Sequence, residues 1–254
     1  MADPHRFFLP PADLAGDLLL ITGDPLHHLR AVLRLTPGDE VLLLDGTGNC
    51  CRARLATVGR DQATATPLSR WTETEHPCPL RLLQALPKGD KFDLVLQKGT
   101  ELGVTAFQPL LSGRGVARPE TGRTARWERI IREAARQSRR PCLPELAPLQ
   151  PLADALATVR EPLRLVLWED GARPLGEILP AQRPAGVAVL VGPEGGFPAT
   201  EIAGVVAAGF VPVHLGPRIL RTETAGLAVA AVLQYLYGDW GTPAGSRLEG
   251  HNGG

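Results

Sequence analysis

Two loops of this 254-residue chain combine glycine, proline and charged residues in a way that could form a ligand site. The first loop, 192–198, reads Gly-Pro-Glu-Gly-Gly-Phe-Pro and follows the apolar run 187–191. Open α/β sheets bind ligands in such loops at the carboxyl ends of parallel strands. Because Pro193 lacks an amide donor and Glu194 adds a negative charge, the loop is unsuited to phosphate. It favours a neutral or cationic ligand.

The second loop, 215–225, reads Leu-Gly-Pro-Arg-Ile-Leu-Arg-Thr-Glu-Thr-Ala and also follows an apolar run. Arg218 and Arg221 lie beside a predicted apolar helix, 226–237. The lower dielectric expected there strengthens their attraction for an anionic partner. The Thr-Glu-Thr cluster at 222–224 has two interpretations. It could cap the helix and complement its positive end, or it could belong to a functional site.

The elements that must position these loops follow from hydrophobic periodicity. Beyond residue 80, continuous apolar runs alternate with helical patterns, which predicts a mainly parallel sheet covered by helices on both faces. The predicted strands are Leu80–Leu86, Val104–Leu111, Leu163–Trp168, Val187–Val191 and Val211–Leu215. A helix is predicted from Asp90, and Gly103 is placed to end it in a left-handed cap.

The first 70 residues have a different pattern, with short strands separated by turns. The predicted strands are Arg6–Leu9, Asp17–Ile21, Glu40–Leu44, Cys51–Val58 and Gln62–Pro67. With one short helix over Pro25–Arg34, this spacing predicts a small β-barrel. The polar, proline-ended segment 71–79 is predicted to be a linker. Residues 80–240 then form the second domain, and 241–254 a flexible tail.

Residues 114–140 hold nine arginines and three glutamates, a net charge of +6 in a chain whose total is zero. A helical wheel predicts one apolar face and, opposite to it, one basic face. The apolar residues are Trp127, Ile130, Ile131, Ala134 and Ala135, and the basic ones are Arg129, Arg132, Arg136 and Arg140. The basic face is either an ordinary solvated surface or a track for a phosphate backbone.

Composition excludes several kinds of site. The chain has no P-loop, GxGxxG, GxSxG or HExxH motif, and its four cysteines form no CxxC pair. We therefore expect no metal site and no disulfide framework. The longest apolar run, 225–233, is too short to span a bilayer, and the first residues show no apolar signal core. These features predict a soluble cytoplasmic protein without a membrane partner.

The basic residues are unevenly divided, with 24 arginines and only three lysines, Lys88, Lys91 and Lys98. A high genomic GC content would explain the excess of arginine. A need for planar, bidentate phosphate donors would explain it functionally.

The two loops, together with motifs elsewhere, resemble the 16S rRNA (uracil-N3)-methyltransferase family of the SPOUT superfamily over nearly the whole chain. The motifs that carry the resemblance lie at 28–34, 44–46, 97–103, 138–141, 144–145, 191–196 and 215–225. The last two are the most specific. One position departs from the family pattern: Arg136 stands where an acidic residue is usual.

The resemblance implies a PUA-like RNA-binding β-barrel followed by an α/β SPOUT methyltransferase domain with a C-terminal trefoil knot. It implies S-adenosylmethionine (SAM) as cofactor and 16S rRNA, free or in the small ribosomal subunit, as substrate. It also implies that the active unit is a homodimer.

Site residues are implied on the same basis. We expect Arg221 to stabilise the uracil anion that develops when N3 loses its proton, with Glu223 or a water as the proton acceptor. The expected cofactor-binding residues are Leu167, Glu169, Leu190, Gly192, Glu194, Gly195, Gly196, Leu215, Gly216, Ile219, Leu220, Arg221, Thr222, Thr224 and Ala225. The expected RNA-binding residues are Arg6, Arg30, Arg34, Arg114, Arg129, Arg132 and Arg140.

Two alternatives stay open at this point. The chain could be a SPOUT methyltransferase that acts on another RNA position, or an RNA-binding ribosome assembly factor that has lost catalysis. Intact loops at 192–196 and 215–225 argue against the second alternative, because a pure binder needs no cofactor cleft. Cofactor affinity separates these alternatives.

Overall fold

The computed structural model describes residues 4–113, 122–170 and 172–240. It divides the chain into two compact units. The first comprises Met1–Glu75 and Ile131–Leu143, and the second His76–Ile130 and Pro144–Gly254. The unit boundary at 75/76 falls within the segment 71–79 that the sequence predicts to be a linker.

The first unit is built on a five-stranded mixed sheet in the order β1-β3-β4-β5-β2. Its strands are β1 (His5–Phe8), β2 (Leu19–Ile21), β3 (Glu40–Leu44), β4 (Asn49–Val58) and β5 (Ala63–Thr72). The β1–β3 pair is parallel and the others are antiparallel. In β4 most buried side chains alternate with exposed ones, as expected for a sheet with one face on a core. All five predicted strands are therefore confirmed.

The helical part of the first unit differs from its prediction. The predicted helix over Pro25–Arg34 is two pieces: α2 (Gly23–His27) and a π-helical turn, His28–Val32. Arg34 follows with φ of 55°, a left-handed conformation that ends the helix. A further short helix, α1 (Pro11–Leu14), starts on a proline at its first position, where the missing amide costs no hydrogen bond.

Residues 131–143 join the first unit from far along the chain. Ala135 packs in a small cluster with Phe8, Leu42, Leu44 and neighbouring buried side chains. The amide of Leu143 donates to the carbonyl of Gly46 over 2.8 Å. Nothing in the local sequence pattern signals this long-range contribution, because it depends on tertiary packing.

The second unit contains an eight-stranded sheet in which every pair is parallel. Its strands are β6 (Leu80–Ala85), β7 (Ala106–Leu111), β8 (Glu145–Leu146), β9 (Gln150–Pro151), β10 (Leu163–Leu167), β11 (Arg173–Pro174), β12 (Val187–Val191) and β13 (Val211–His214). The order is β11-β13-β10-β12-β6-β7-β8, with β9 also paired to β7. The parallel sheet predicted from the continuous apolar runs is confirmed.

Helices cover this sheet on both faces. They are α3 (Lys91–Glu101), α5 (Leu152–Thr158), α6 (Leu175–Ile178), α7 (Ala199–Ala207) and α8 (Thr222–Tyr237). A further helix, α4 (Arg123–Gln137), runs from the second unit into the first. A Cβ at Gly226 of α8 would lie 3.0 Å from Leu82 and 3.2 Å from Val191, so a larger residue would require these side chains to shift. The alternate residues Leu83 and Leu190 point to the other face, in a core with α5 and α7.

The helix predicted from Asp90 is confirmed as α3, and Gly103 beyond its end has φ of +86°. This φ lies in the left-handed region, which favours glycine, so the predicted left-handed cap is confirmed as well. Within the described residues, no helix combines the length and the apolar character that crossing a membrane requires.

Candidate active site

Four segments of the second unit leave the sheet at the same edge. Strands β13, β10, β12 and β6 are consecutive neighbours and all parallel, so their carboxyl ends meet there. The segments that follow are 86–90 after β6, Trp168 onward after β10, 192–198 after β12, and 215–221 after β13. Both loops that the sequence singles out lie at this edge, where open α/β sheets bind ligands.

The 192–198 loop is anchored by an aromatic side chain. Phe197 is 2% exposed, and a Cβ at Gly192 would lie 3.1 Å from its ring. Gly196 has φ of +65°, and its amide donates to the carbonyl of Pro193 over 2.9 Å. Glycine at 192 thus avoids a tight contact with this ring, and glycine at 196 suits the left-handed turn. The loop forms a fixed wall of the site.

The 215–221 loop is much more exposed. Gly216 has φ of +111°, and its amide donates to Nδ1 of His214 over 3.1 Å. The loop residue Ile219 is 78% exposed, and the side chain of Arg221 is 84% exposed. Such side chains remain available to a ligand.

A chain of hydrogen bonds links the two loops to the sheet. The Thr222 hydroxyl donates to the carbonyl oxygen of Gly192 and accepts from Nε2 of Gln84 over 2.9 Å. Arg221, not Thr222 or Thr224, occupies the N-cap position of α8, and its side chain makes no capping hydrogen bond. The hydroxyl of Thr222 therefore fastens one loop to the other. Gln84, fully buried at 0% exposure, was missed by sequence reasoning although it is a lone amide in an apolar strand.

Two carboxylates and a lysine meet beside these loops. Nζ of Lys91, at the start of α3, lies 2.7 Å from Oε1 of Glu194 and 3.9 Å from Oε2 of Glu223. The backbone amide of Lys88 also donates to Oε1 of Glu194, over 3.1 Å. The negative charge predicted for the 192–198 loop is therefore compensated within the protein. Sequence reasoning missed both lysines, although the scarcity of this residue type was a signal.

The pKa values in this group follow from those contacts. Burial pushes the pKa of Glu194 upward, but hydrogen bonds from Lys91, its own backbone and Lys88 outweigh that effect and leave it below the ordinary value. The hydrogen bond to Glu194 raises the pKa of Lys91 above its usual range. Both groups therefore stay charged at neutral pH.

Glu223 is the most enclosed charge of the group. The residue is 8% exposed, and among the described residues its Oε2 atom has no hydrogen-bond partner. The guanidinium of Arg221 lies 4.0 Å from the other oxygen, Oε1. A buried carboxylate oxygen without a donor is costly unless a ligand supplies one.

The remaining predicted cofactor residues lie along the same edge with varied exposure. Glu169, Gly195 and Thr224 are exposed, whereas Leu190 is fully buried within β12. Three leucines and an alanine are half-buried: Leu167, Leu215, Leu220 and Ala225. Trp168, within the segment 167–169 that the sequence predicts to line the pocket, lies close to the first loop, since a Cβ at Gly196 would be 3.8 Å from its ring.

A cavity of about 230 Å³ adjoins the 86–90 loop. Its lining includes Phe92 and Trp127, whose rings pack edge to face at 4.7 Å. Arg126 on its rim forms ion pairs with Asp93 and, over 3.2 Å, with Asp90. The ion pairs neutralise much of the local charge. Over the residues that the structure describes, no cluster of three or more His, Cys, Asp or Glu is placed to hold a metal ion.

The apolar face predicted for α4 is confirmed, with Trp127, Ile131, Ala134 and Ala135 buried. On the basic face, Arg129 and Arg132 are exposed. Arg140 departs from the prediction, since it is 8% exposed and its Nη2 lies 2.9 Å from Oε2 of Glu75. Because α4 ends at Gln137, helical periodicity does not extend to Arg140, which serves an internal ion pair instead.

The other predicted RNA contacts lie in the first unit or outside the described residues. Arg30 and Arg34 are exposed, and Arg30 donates to the carbonyl of Arg60 over 3.0 Å. Arg6 is half-buried and donates to the carbonyl of Arg139 over 3.2 Å. Arg114 falls in 114–121, outside the described residues.

Comparison with known proteins first gives the class of protein. A family model described as RNA methyltransferase domain matches residues 74–234, and one described as RNA methyltransferase PUA domain matches residues 21–68. The predicted fold class, a PUA-like domain before a SPOUT methyltransferase domain, is confirmed.

Individual relatives then give the family. A ribosomal RNA small subunit methyltransferase E from Synechocystis is 38% identical over 91% of this chain and 78% of its own. The enzyme of that name from Neisseria gonorrhoeae, solved with bound S-adenosyl methionine, is 37% identical with a TM-score of 0.85, covering 94% and 100% of the two chains. A Legionella pneumophila protein described as a methyltransferase, in complex with bound SAM, is 32% identical with a TM-score of 0.86 over the same shares. The chain belongs to the ribosomal RNA small subunit methyltransferase E family.

Proposed function

We propose that this chain transfers a methyl group from SAM to N3 of a uridine in the 16S rRNA of the small ribosomal subunit. The names and bound cofactor of its relatives support SAM and small-subunit rRNA as the reactants. The motifs at 191–196 and 215–225 support the finer assignment to uracil N3. The observation that carries the proposal is the juxtaposition of Arg221 and the buried Glu223, fastened to the 192–198 loop through Thr222.

The residues at this edge of the sheet fit SAM. This cofactor carries a positive sulfur centre, and two carboxylates, those of Glu194 and Glu223, lie beside the loops that would surround it. Backbone groups of Leu215, Gly216, Ile219 and Leu220 would hold its adenine and amino-acid moieties. When bound, SAM supplies a methyl group activated by the sulfonium charge. In-line transfer then depends largely on how the loops orient the reactants.

Arg221 and Glu223 divide the work on the substrate base. Uracil N3 carries a proton at neutral pH and must lose it as it attacks. The exposed guanidinium of Arg221 would stabilise the negative charge that develops on the uracil oxygens. The carboxylate of Glu223 would accept the proton, a role that contributes roughly 10²- to 10⁴-fold to a rate.

RNA affinity is assigned to surfaces outside this edge. The exposed Arg129 and Arg132 of α4, with Arg30 and Arg34 of the first unit, would contact phosphates. Arg140 is left out because it is buried against Glu75. The C-terminal trefoil knot and the homodimer stay predictions, the latter supported by exposed apolar residues in and after α8. These are Tyr235, Leu236 and Trp240.

The experiment that tests the proposed function is methyl transfer from isotope-labelled SAM to purified small subunits and to naked 16S rRNA, followed by mass spectrometry of the digested nucleosides. We expect 3-methyluridine as the labelled product. A different methylated nucleoside would support a SPOUT enzyme of other specificity. Cofactor binding without transfer to either RNA would contradict the proposed substrate. Absence of cofactor binding would contradict the proposed enzymatic activity.

A further inference from the structure

Three charged side chains from three different elements meet at the candidate active site. Lys91 begins α3, Glu194 lies in the 192–198 loop, and Glu223 lies in the first turn of α8. The same ammonium group therefore approaches both carboxylates, at 2.7 Å and 3.9 Å. No motif in the sequence singles out Lys91, and the proposed function gives it no role.

The two carboxylates are in unequal positions. Oε1 of Glu194 receives hydrogen bonds from Nζ of Lys91 and from the amide of Lys88, and its side chain is 31% exposed. The side chain of Glu223 is only 10% exposed, and within the described part of the chain its Oε2 receives no hydrogen bond. Glu194 is thus occupied by the protein itself, whereas Glu223 keeps an unoccupied oxygen beside the same cation.

Lys91 is also an unusual choice in this chain, where basic residues are 24 arginines and three lysines. A planar guanidinium engages a carboxylate with two parallel donors, whereas an ammonium is a compact point charge. The compact group can bond to Glu194 while standing beside Glu223 without covering its second oxygen. Lysine at position 91 therefore suits this arrangement of two carboxylates better than arginine would.

We propose that Lys91 is a positioning residue for methyl transfer: it occupies Glu194 and thereby leaves Oε2 of Glu223 as the open oxygen that accepts the N3 proton of the substrate uracil. This inference rests on the proposed function. Uracil N3 gives its proton to Glu223 as it forms the bond to the methyl carbon. The bond from that carbon to sulfur breaks with its electron pair staying on sulfur, which becomes a neutral thioether.

Loss of Lys91 would disturb both carboxylates. Glu194 would lose its strongest partner, and two negative charges would face each other in a partly buried site. Either Glu194 moves or Glu223 is drawn to another donor, and both changes disturb the proton acceptor. Displacing a catalytic group by about 1 Å costs up to roughly 100-fold in rate.

The test compares Lys91→Met, Lys91→Arg and the double variant Lys91→Met/Glu194→Gln with the wild type under single-turnover conditions. Lys98→Met is the matched control, because Lys98 lies on the same helix and pairs with Glu101 at the surface. We expect Lys91→Met to lower the transfer rate by about 10- to 100-fold with less than about a threefold change in the KM for SAM. Lys91→Arg should keep a larger share of the rate than Lys91→Met. The double variant should be at least about threefold faster than Lys91→Met, because the Glu194 carboxylate that lost its partner is then replaced by a neutral amide.

Several outcomes would overturn the inference. These are an unchanged rate in Lys91→Met, equal losses in Lys91→Met and Lys91→Arg, or a loss expressed only in the KM for SAM. Titration of the Glu194 carboxyl by ¹³C NMR adds a readout independent of RNA, and its pKa should rise when Lys91 is replaced by Met. Failure of the proposed function is distinguishable, because the wild type itself would then transfer no methyl group.

Discussion

The two loops of the candidate active site follow neighbouring pieces of one sheet but are built in opposite ways. The 192–198 loop places its large apolar side chain, Phe197, in the core at 2% exposure. The 215–221 loop leaves its own, Ile219, 78% exposed. Glu194 of the first loop forms an ion pair with Lys91. The side chain of Arg221, which ends the second loop, is 84% exposed. One loop forms a fixed wall, and the other presents side chains to ligands.

The largest expected effect concerns the buried side chain that anchors the 192–198 loop. Phe197→Ala removes a fully buried ring that contacts Gly192, and we expect it to lower the free energy of unfolding by about 3–5 kcal/mol. Ile219→Ala, the matched change in the exposed loop, should cost less than about 0.5 kcal/mol. Denaturant unfolding of both variants measures the difference. Equal costs would show that the two loops are anchored alike.

The next effect concerns chemistry at the exposed loop. Arg221→Ala should slow single-turnover methyl transfer by about 10²- to 10³-fold, the usual cost of losing a donor to a developing oxyanion, while leaving stability unchanged. Arg218→Ala, an exposed arginine of the same loop, should change the rate by less than about threefold at saturating RNA. If Arg221→Ala kept the wild-type turnover with saturating cofactor, the anion-stabilising role would be wrong.

How much of this comparison the sequence predicts depends on the range of the interactions. Local periodicity predicts β12 residue for residue, because five consecutive apolar residues suit a strand buried on both faces. It also predicts the position of both loops at the sheet edge. It does not predict that Thr222 fastens the loops together, because its partners Gly192 and Gln84 are 30 and 138 residues away.

The wrong prediction for Arg140 and the missed contacts of Lys91 both come from interactions between distant parts of the chain. The helical wheel places Arg140 with Arg129 and Arg132, but the wheel applies only as far as the helix, which ends at Gln137. Beyond that point tertiary packing decides, and it places Arg140 against Glu75. The Lys91 contacts were missed because neither the start of α3 nor the 192–198 loop carries a local sign that they meet.

The smallest expected effect sharpens the contrast between chemistry and affinity. Reversing the charge of the exposed pair, Arg129→Glu with Arg132→Glu, should weaken RNA binding and lower the slope of log K against log salt by about 2. SAM affinity should not change. The matched control is Arg173→Glu, which reverses an exposed arginine on strand β11 instead of on α4. An unchanged salt slope would identify the basic face of α4 as an ordinary solvated surface.

We propose that the two unlike loops form a single cofactor site. Hydrogen exchange of the wild-type protein, followed by mass spectrometry with and without saturating SAM, is the direct test. We expect SAM to slow exchange in peptides covering 192–198 and 215–225, with the larger change in the more exposed second loop. Protection confined to the cavity beside 86–90, or to only one of the two loops, would contradict it.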